Sequence, residues 1–182
     1  GILLAFNLPS SVPIYVPIIG GLVAIVMVKQ MFGGLGQNFV NPALLARIIL
    51  MNSFPVLMTT WYPAGGFGAD TTATASPLAN IATGQLDALP SYMDMFLGNI
   101  PGCLGETSAL ALLIGGIYLV ARKVISPIIP VTYIGTVFVL SAILGQDPVA
   151  QILCGGLFSG AIFMATDYVT SPLTNKGKFI YA

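Results

Sequence analysis

Residues Val12–Val28, VPIYVPIIGGLVAIVMV, form an apolar run that ends at Lys29. A bilayer core about 30 Å thick takes roughly 20 residues of helix, so a run of this kind predicts a membrane span. The lysine can extend its charged end to the interface while its stem stays among apolar groups. This stretch therefore indicates an integral membrane protein rather than a soluble domain.

The composition of the whole chain agrees with that run. Of its 182 residues, 56% are hydrophobic and 7% are charged, whereas soluble domains are about one quarter charged. The formal net charge is zero, so there is no excess of basic residues to bind nucleic acid. The chain has no histidine, which removes the commonest metal ligand and general base.

Further apolar stretches predict an all-α, multi-helix transmembrane bundle. We expect spans near residues 1–8, 12–28, 39–58, 107–121, 130–144 and 149–165, with a loop over 59–83. Glycine pairs and prolines predict broken helices and glycine-rich turns. Residues 1–182 then form a single transmembrane domain. Because the chain starts inside an apolar run, we expect it to be a fragment of a larger bundle.

Short helices are expected at the edges of the spans. Ser76 is a suitable N-cap for a helix that begins at Pro77, and residues 91–97 combine apolar side chains with Asp94 as an interfacial helix would. Cys103 and Cys154 lie far apart without a CxxC spacing. They fit buried apolar thiols or, alternatively, a disulfide or metal pair.

Polar clusters interrupt this apolar chain at residues 29–47, 70–79, 101–108 and 163–178. Ionisable groups in hydrocarbon cost several kcal/mol unless they are paired or hydrated, so each cluster needs a structural or functional reason. At Asn41-Pro42 a helix start offers free N–H groups to an anion, or the cluster is a re-entrant turn. Glu106 followed by Thr107-Ser108 at a helix start suits a cap. Alternatively, the Glu106 carboxylate serves an ion or a cofactor. The last cluster suits capping and interfacial anchoring, or an ion path at Asp167.

Four motifs carry a resemblance to a known family. They are KQMFGGLGQNFVNPALLAR, SFPVLMT, GCLGETSALALLIGG and FMATDYVTSPLTNKGK, at residues 29–47, 53–59, 102–116 and 163–178. In this order they resemble the family of the D subunit of the Rnf complex and its relative, the B subunit of the sodium-pumping NADH:quinone reductase. The similarity covers essentially the whole chain, and the Rnf version is the closer one.

The resemblance implies a multi-pass flavoprotein in the inner membrane of a prokaryote, with about ten helices in the full subunit. It implies electron transfer between ferredoxin and NAD, coupled to Na⁺ or H⁺ translocation. The implied cofactors are FMN, joined through its phosphate to a threonine hydroxyl, and a second, non-covalent flavin such as riboflavin. The implied partners are the other subunits of the complex, including a second covalent-FMN subunit and small membrane subunits.

This sequence departs from the family at the attachment motif. Alignment on Asp70 and Pro77 places Ser76 at the acceptor position, whereas a shift of two residues places Thr74 there. Both alternatives remain open, since either hydroxyl can form the phosphoester. The candidates for hydrogen bonds to the flavin or its phosphate are Asn38, Asn41, Arg47, Glu106, Thr107, Ser108, Asp167, Thr170, Ser171, Thr174 and Lys178.

A second hypothesis is a secondary transporter or channel subunit without a redox cofactor. Transporters also use broken helices and irregular backbone near the middle of the membrane. The long motifs favour the electron carrier, and a flavin that stays attached after denaturation would separate the two.

Overall fold

The computed structural model describes residues 1–34, 36–62, 76–84, 89–103 and 105–182, and its regular elements are helices. We number them α1 (Ile2–Phe6), α2 (Tyr15–Leu22), α3 (Pro42–Ser53), α4 (Pro55–Thr59), α5 (Pro77–Ala82), α6 (Tyr92–Leu97), α7 (Ala109–Ala121), α8 (Ile128–Ile143), α9 (Pro148–Leu153), α10 (Leu157–Ser159) and α11 (Asn175–Tyr181). Two π-helical segments follow α2 and α10 directly, at Val23–Gln30 and Gly160–Met164. The helical content agrees with the all-α prediction.

Side-chain caps followed by proline set several helix starts. The Asn41 side chain accepts hydrogen bonds from the first turn of α3, and Asp147 does the same for α9. Ser76 caps α5 by accepting from the Ala79 N–H, as predicted. Proline after a cap costs no hydrogen bond, because the first helical N–H groups have no partner within the helix. These starts are therefore local consequences of the sequence.

Two of the stretches predicted as spans contain a break between helices, and broken helices were expected in this bundle. Residues 39–58 divide into α3 and α4 at Phe54, whose φ of −132° is not helical because the next residue is proline. Residues 149–165 divide at 154–156, where Cys154 is extended and Gly155 has a φ of +73°. That left-handed conformation suits glycine and ends a right-handed helix.

The two π-helical segments lie in the first and last parts of the chain. Their wider turns are marked by backbone hydrogen bonds that span five residues, from Met31 to Val26 (3.0 Å) and from Ala165 to Gly160 (2.7 Å). Such turns are rare and frequently lie at functional sites. Here both segments contribute to the wall of one cavity, described below.

The first part of the core lies where α1, α2, α3 and the first π segment meet. Val16, Ala46 and Leu50 are fully buried there. A second group of buried side chains joins α6 to α9, and a third joins α7 to α10 and the second π segment. The outer surface, by contrast, carries many large apolar side chains, such as Leu173 at 92% exposure and Ile180 at 84%. Among the described residues, the helices fall short of the length and apolar character that a single membrane crossing requires.

Candidate functional site

A buried charge pair joins two distant segments of the chain. Arg47, in the middle of α3, forms a salt bridge with Glu106, in the connection that leads to α7. The Glu106 side chain is 6% exposed and the Arg47 side chain 23%. A buried carboxylate is stable only with a partner that compensates its lost hydration. The fold therefore holds these two candidate residues together.

A buried amide extends this pair toward the start of the chain. Arg47 Nη1 also donates to Asn7 Oδ1 at 2.6 Å, and Asn7 Nδ2 donates to the Leu3 carbonyl at 2.7 Å. Asn7 is 3% exposed, and its Nδ2 lies 3.8 Å from the sulfur of Met164. Asn7 was not among the residues predicted from the sequence. Asn7 is the one amide within the apolar run GILLAFNLP, and this isolated polar residue could have marked it as a candidate.

A cavity of about 430 Å³, which we call cavity A, borders the charge pair. Its volume falls in the range of small-molecule sites in proteins. Four predicted site residues share its wall, although they come from three separate stretches of sequence. The lining consists of Arg47, Met51, Thr59, Trp61, Ser76, Pro77, Leu78, Ala79, Ile100, Pro101, Gly102, Glu106, Thr107, Gly155 and Gly156.

Cavity A has a mixed chemical character. Trp61, the single tryptophan of the chain, contributes an aromatic surface and was not predicted from the sequence. Arg47, Glu106 and Thr107 supply charge and a hydroxyl, and Ser76 supplies a second hydroxyl. Few polar groups placed on an apolar wall are typical of sites that bind an aromatic cofactor. These residues are therefore compatible with a small-molecule ligand that has a flat apolar part and a polar part.

Gly156 determines where the Glu106 carboxylate can lie. A Cβ atom at Gly156 would be 2.7 Å from Glu106 Oε1 and 3.1 Å from Cδ. Its φ of −81° is available to any residue, so the need for glycine is one of space rather than of backbone conformation. The break between α9 and α10 thus gives the carboxylate room to reach Arg47.

A second cavity of about 650 Å³, cavity B, lies at the N-terminal end of α3. Asn41 and Asp167, two predicted site residues, line it together with Lys29. Asn41 Nδ2 also donates to the Met164 carbonyl at 3.3 Å, which ties the start of α3 to the second π segment. Both π segments contribute to the wall, through Ala24, Ile25, Lys29 and Phe163.

Three of the remaining predicted residues act locally in the structure. Ser108 caps α7 by accepting from Ala111, and Thr174 caps α11 by accepting from Gly177. Asn38 Nδ2 donates to the Val40 carbonyl within its own turn. These three side chains were candidates for binding the cofactor, and in the structure they stabilise local backbone.

The segment after the second π helix folds around Asp167. Thr170 Oγ1 donates to the Asp167 carboxylate at 3.3 Å, and the Ser171 N–H donates to the Asp167 carbonyl at 2.9 Å. Lys178 lies in the last turn of α11. Thr74 lies outside the described residues, so the choice between Ser76 and Thr74 stays a prediction.

Both cysteines are free and buried, which agrees with the prediction of apolar thiols and excludes the disulfide. Cys103 is fully buried, and its Sγ lies 4.0 Å from Arg47 Nη2. Burial, followed by the negative charge of Glu106, raises the pKa of the Cys103 thiol well above its ordinary value. We therefore expect the Cys103 thiol to react slowly in the folded protein.

The complete chain matches one protein family. Residues 1–182 match the family described as NQR2, RnfD, RnfE, and the chain belongs to it. This membership confirms the resemblance drawn from the four motifs. Members of this family are membrane-associated subunits of bacterial ion-translocating oxidoreductase complexes.

Individual relatives show the degree of similarity. The chain is 49% identical over 186 residues to the D subunit of the Na⁺-translocating ferredoxin:NAD⁺ oxidoreductase complex of Acetobacterium woodii, covering 100% of this chain and 57% of the relative. It is 43% identical to the D subunit of the proton-translocating complex of Clostridium ljungdahlii, with 60% of that relative covered. It is 34% identical to the B subunit of the Na⁺-translocating NADH-quinone reductase of Pseudoalteromonas atlantica, with 48% covered. The chain thus spans 57% to 60% of the length of the two ferredoxin:NAD⁺ oxidoreductase relatives.

Proposed function

We propose that this chain is the flavin-holding part of the D subunit of an Rnf-type complex in the inner membrane of a prokaryote. In this role it passes electrons between ferredoxin and NAD, with coupled translocation of Na⁺ or H⁺. The observation that carries the proposal is cavity A, where Ser76, Arg47, Glu106 and Thr107 meet. Family membership supports the same conclusion through the relatives, whose names specify these reactions.

The chain's own residues would hold FMN in cavity A. Ser76 would supply the oxygen of the phosphoester, unless Thr74 in the adjoining segment supplies it. Thr107 and Arg47 offer a hydroxyl and N–H donors, and Trp61 offers an aromatic surface for the flat ring. The flavin supplies the redox chemistry, and the covalent bond prevents its loss.

Cavity B is our proposed site for the second, non-covalent flavin. It has room for a flavin, with about 650 Å³, and it offers the Asn41 amide, the Asp167 carboxylate and the Lys29 ammonium as polar contacts. Asp167→Asn should reduce the flavin released by acid from the purified complex. Asp94→Asn, a carboxylate on α6 away from this cavity, serves as the matched control. Equal acid-released flavin in both variants would contradict this assignment.

The covalent flavin is tested on a denaturing gel of the purified complex. We expect an ultraviolet-fluorescent band at the subunit and a peptide whose mass exceeds the unmodified one by FMN less one water. Ser76→Ala should remove the band, and Ser76→Thr should retain it because the hydroxyl is kept. If Thr74→Ala removes it instead, Thr74 is the acceptor. A native complex without the band would favour the transporter or channel without a redox cofactor.

Ser76 also has a structural role that the experiment must separate. Its Oγ accepts from the Ala79 N–H at 3.2 Å, and loss of such a cap costs about 1 kcal/mol. Ser76→Asp keeps a capping oxygen but has no hydroxyl to esterify. If the Ser76→Asp complex assembles but lacks the band, the band is lost because the attachment oxygen is missing and not because the helix is unfolded.

A further inference from the structure

We propose that Arg47 and Glu106 each shift the redox potential of the flavin in cavity A, in opposite directions, and that their pairing balances the two effects. This inference rests on the proposed function, and it assigns to the pair a role beyond holding the fold together. Both side chains border the cavity. Contacts within the protein hold both charged groups in place.

The position of each charge is fixed by separate contacts. Glu106 is enclosed by Arg47 on α3 and by Gly156 in the break before α10. Its N–H donates to the Cys103 carbonyl at 3.0 Å, which fixes the backbone that carries it. Arg47 is fixed by Asn7, whose Oδ1 accepts from Nη1 at 2.6 Å. Neither charge can rotate toward solvent without breaking these contacts.

The charge of a flavin changes on reduction. The oxidised ring is neutral, and uptake of two electrons with one proton leaves one negative charge on it. A nearby positive charge stabilises that product and raises the potential, whereas a nearby negative charge lowers it. In a site shielded from water these interactions are stronger than in bulk solvent. Because Arg47 and Glu106 compensate each other, the pair adds no net charge to the cavity.

Removal of one charge should therefore shift the potential in a predictable direction. Glu106→Gln leaves the Arg47 guanidinium uncompensated, since arginine stays protonated, and shifts the potential of the covalent flavin to a more positive value. Arg47→Gln removes the positive charge, leaves the Glu106 carboxylate uncompensated and shifts the potential to a more negative value. The double variant removes both charges and returns the potential toward that of the parent. Arg47→Lys keeps the charge and stays near the parent.

The experiment is a reductive titration of the purified complex with dithionite, followed by flavin absorbance in the presence of redox dyes. Covalent attachment is checked first for every variant by the fluorescent band. Asp94→Asn, which removes a carboxylate that does not border cavity A, is the matched control and should leave the potential unchanged.

Opposite shifts in the two single variants, with recovery in the double variant, support the inference. A double variant that shifts as far as Glu106→Gln overturns it, since the effect then does not follow net charge. An unchanged potential in Glu106→Gln with the band present also overturns it. If Glu106→Gln fails to assemble, the sign of the shift in Arg47→Gln decides. A parent complex without the band refutes the proposed function itself, which is a separate result.

Discussion

The space between Gly156 and Glu106 gives a quantitative prediction for Gly156→Ala. The new methyl group would lie 2.7 Å from Glu106 Oε1, 3.1 Å from Cδ and 3.4 Å from Cγ. The whole carboxylate end of the side chain must therefore move. Glu106 is 6% exposed and paired with Arg47, so movement of its carboxylate disturbs that pair. We expect the substitution to weaken or break the salt bridge.

The magnitude follows from three contributions. Overpacking a buried site costs about 1 to 3 kcal/mol, and loss of a buried pair costs about 3 to 5 kcal/mol when one partner is removed completely. Here the carboxylate is displaced by the overpacking and not removed, so the two costs describe one event and are not added; we take about 3 kcal/mol, where the two ranges meet. Alanine at a compatible backbone conformation recovers about 0.4 to 1 kcal/mol. We expect a net loss of about 2 to 3 kcal/mol in the free energy of unfolding.

For a chain of this length, each kcal/mol corresponds to a change of about 2 to 4 °C in the unfolding midpoint. The midpoint of Gly156→Ala should therefore fall by about 4 to 12 °C. Cys103 is fully buried, so its labelling by a maleimide during heating reports unfolding at this site. Peptide mass spectrometry of the purified complex then gives the labelled fraction at each temperature.

Gly160→Ala is the matched control, because a Cβ there meets no atom within 4 Å. Its φ of −63° is helical, so its midpoint should stay unchanged or rise slightly. In a Glu106→Ala background, Gly156→Ala should cost little, since the carboxylate that it displaces is gone. Equal midpoints for Gly156→Ala and Gly160→Ala would refute the steric argument.

Three further predictions concern groups outside this contact. Asn41→Ala removes the cap of α3 and the donation to the Met164 carbonyl. It should lower the free energy of unfolding by about 1 to 3 kcal/mol. Asn41→Asp keeps the capping oxygen and should lose less stability in the same heating assay. The hydrogen bond from the Tyr92 hydroxyl lowers the pKa of Asp147, so its stabilising effect is present above the ordinary carboxyl pKa and is lost as the pH falls through the lowered value. Tyr92→Phe should therefore lose less stability than the parent on acidification below about pH 4, and identical acid-unfolding curves would contradict this. The raised pKa of the Cys103 thiol predicts that native-state alkylation stays slow between about pH 7 and pH 9, whereas the denatured chain should be labelled progressively faster over that range.

The sequence by itself indicated the features that depend on neighbours along the chain. Ser76 before Pro77, Asn41 before Pro42, and Ser108 after Glu106 predicted helix starts, and each is a cap in the structure. Caps can be predicted because donor and acceptor lie two or three residues apart. Pro55 also acts locally, because a residue that precedes proline is disfavoured in the helical conformation, and the helix is interrupted at Phe54.

The tertiary structure decided which polar residues share a site. Arg47 and Glu106 are 59 residues apart, and Asn7 and Met164 are 157 apart. Nothing in the spacing of these residues specifies that they meet, because their contact depends on how the helices pack. All three of Ser76, Ser108 and Thr174 cap helices, and packing placed only Ser76 of these three at the wall of cavity A. The sequence thus determined the helical class, the family and the list of candidate side chains. Long-range packing selected from that list the residues that form a pocket, and it added Asn7, Trp61 and Gly156.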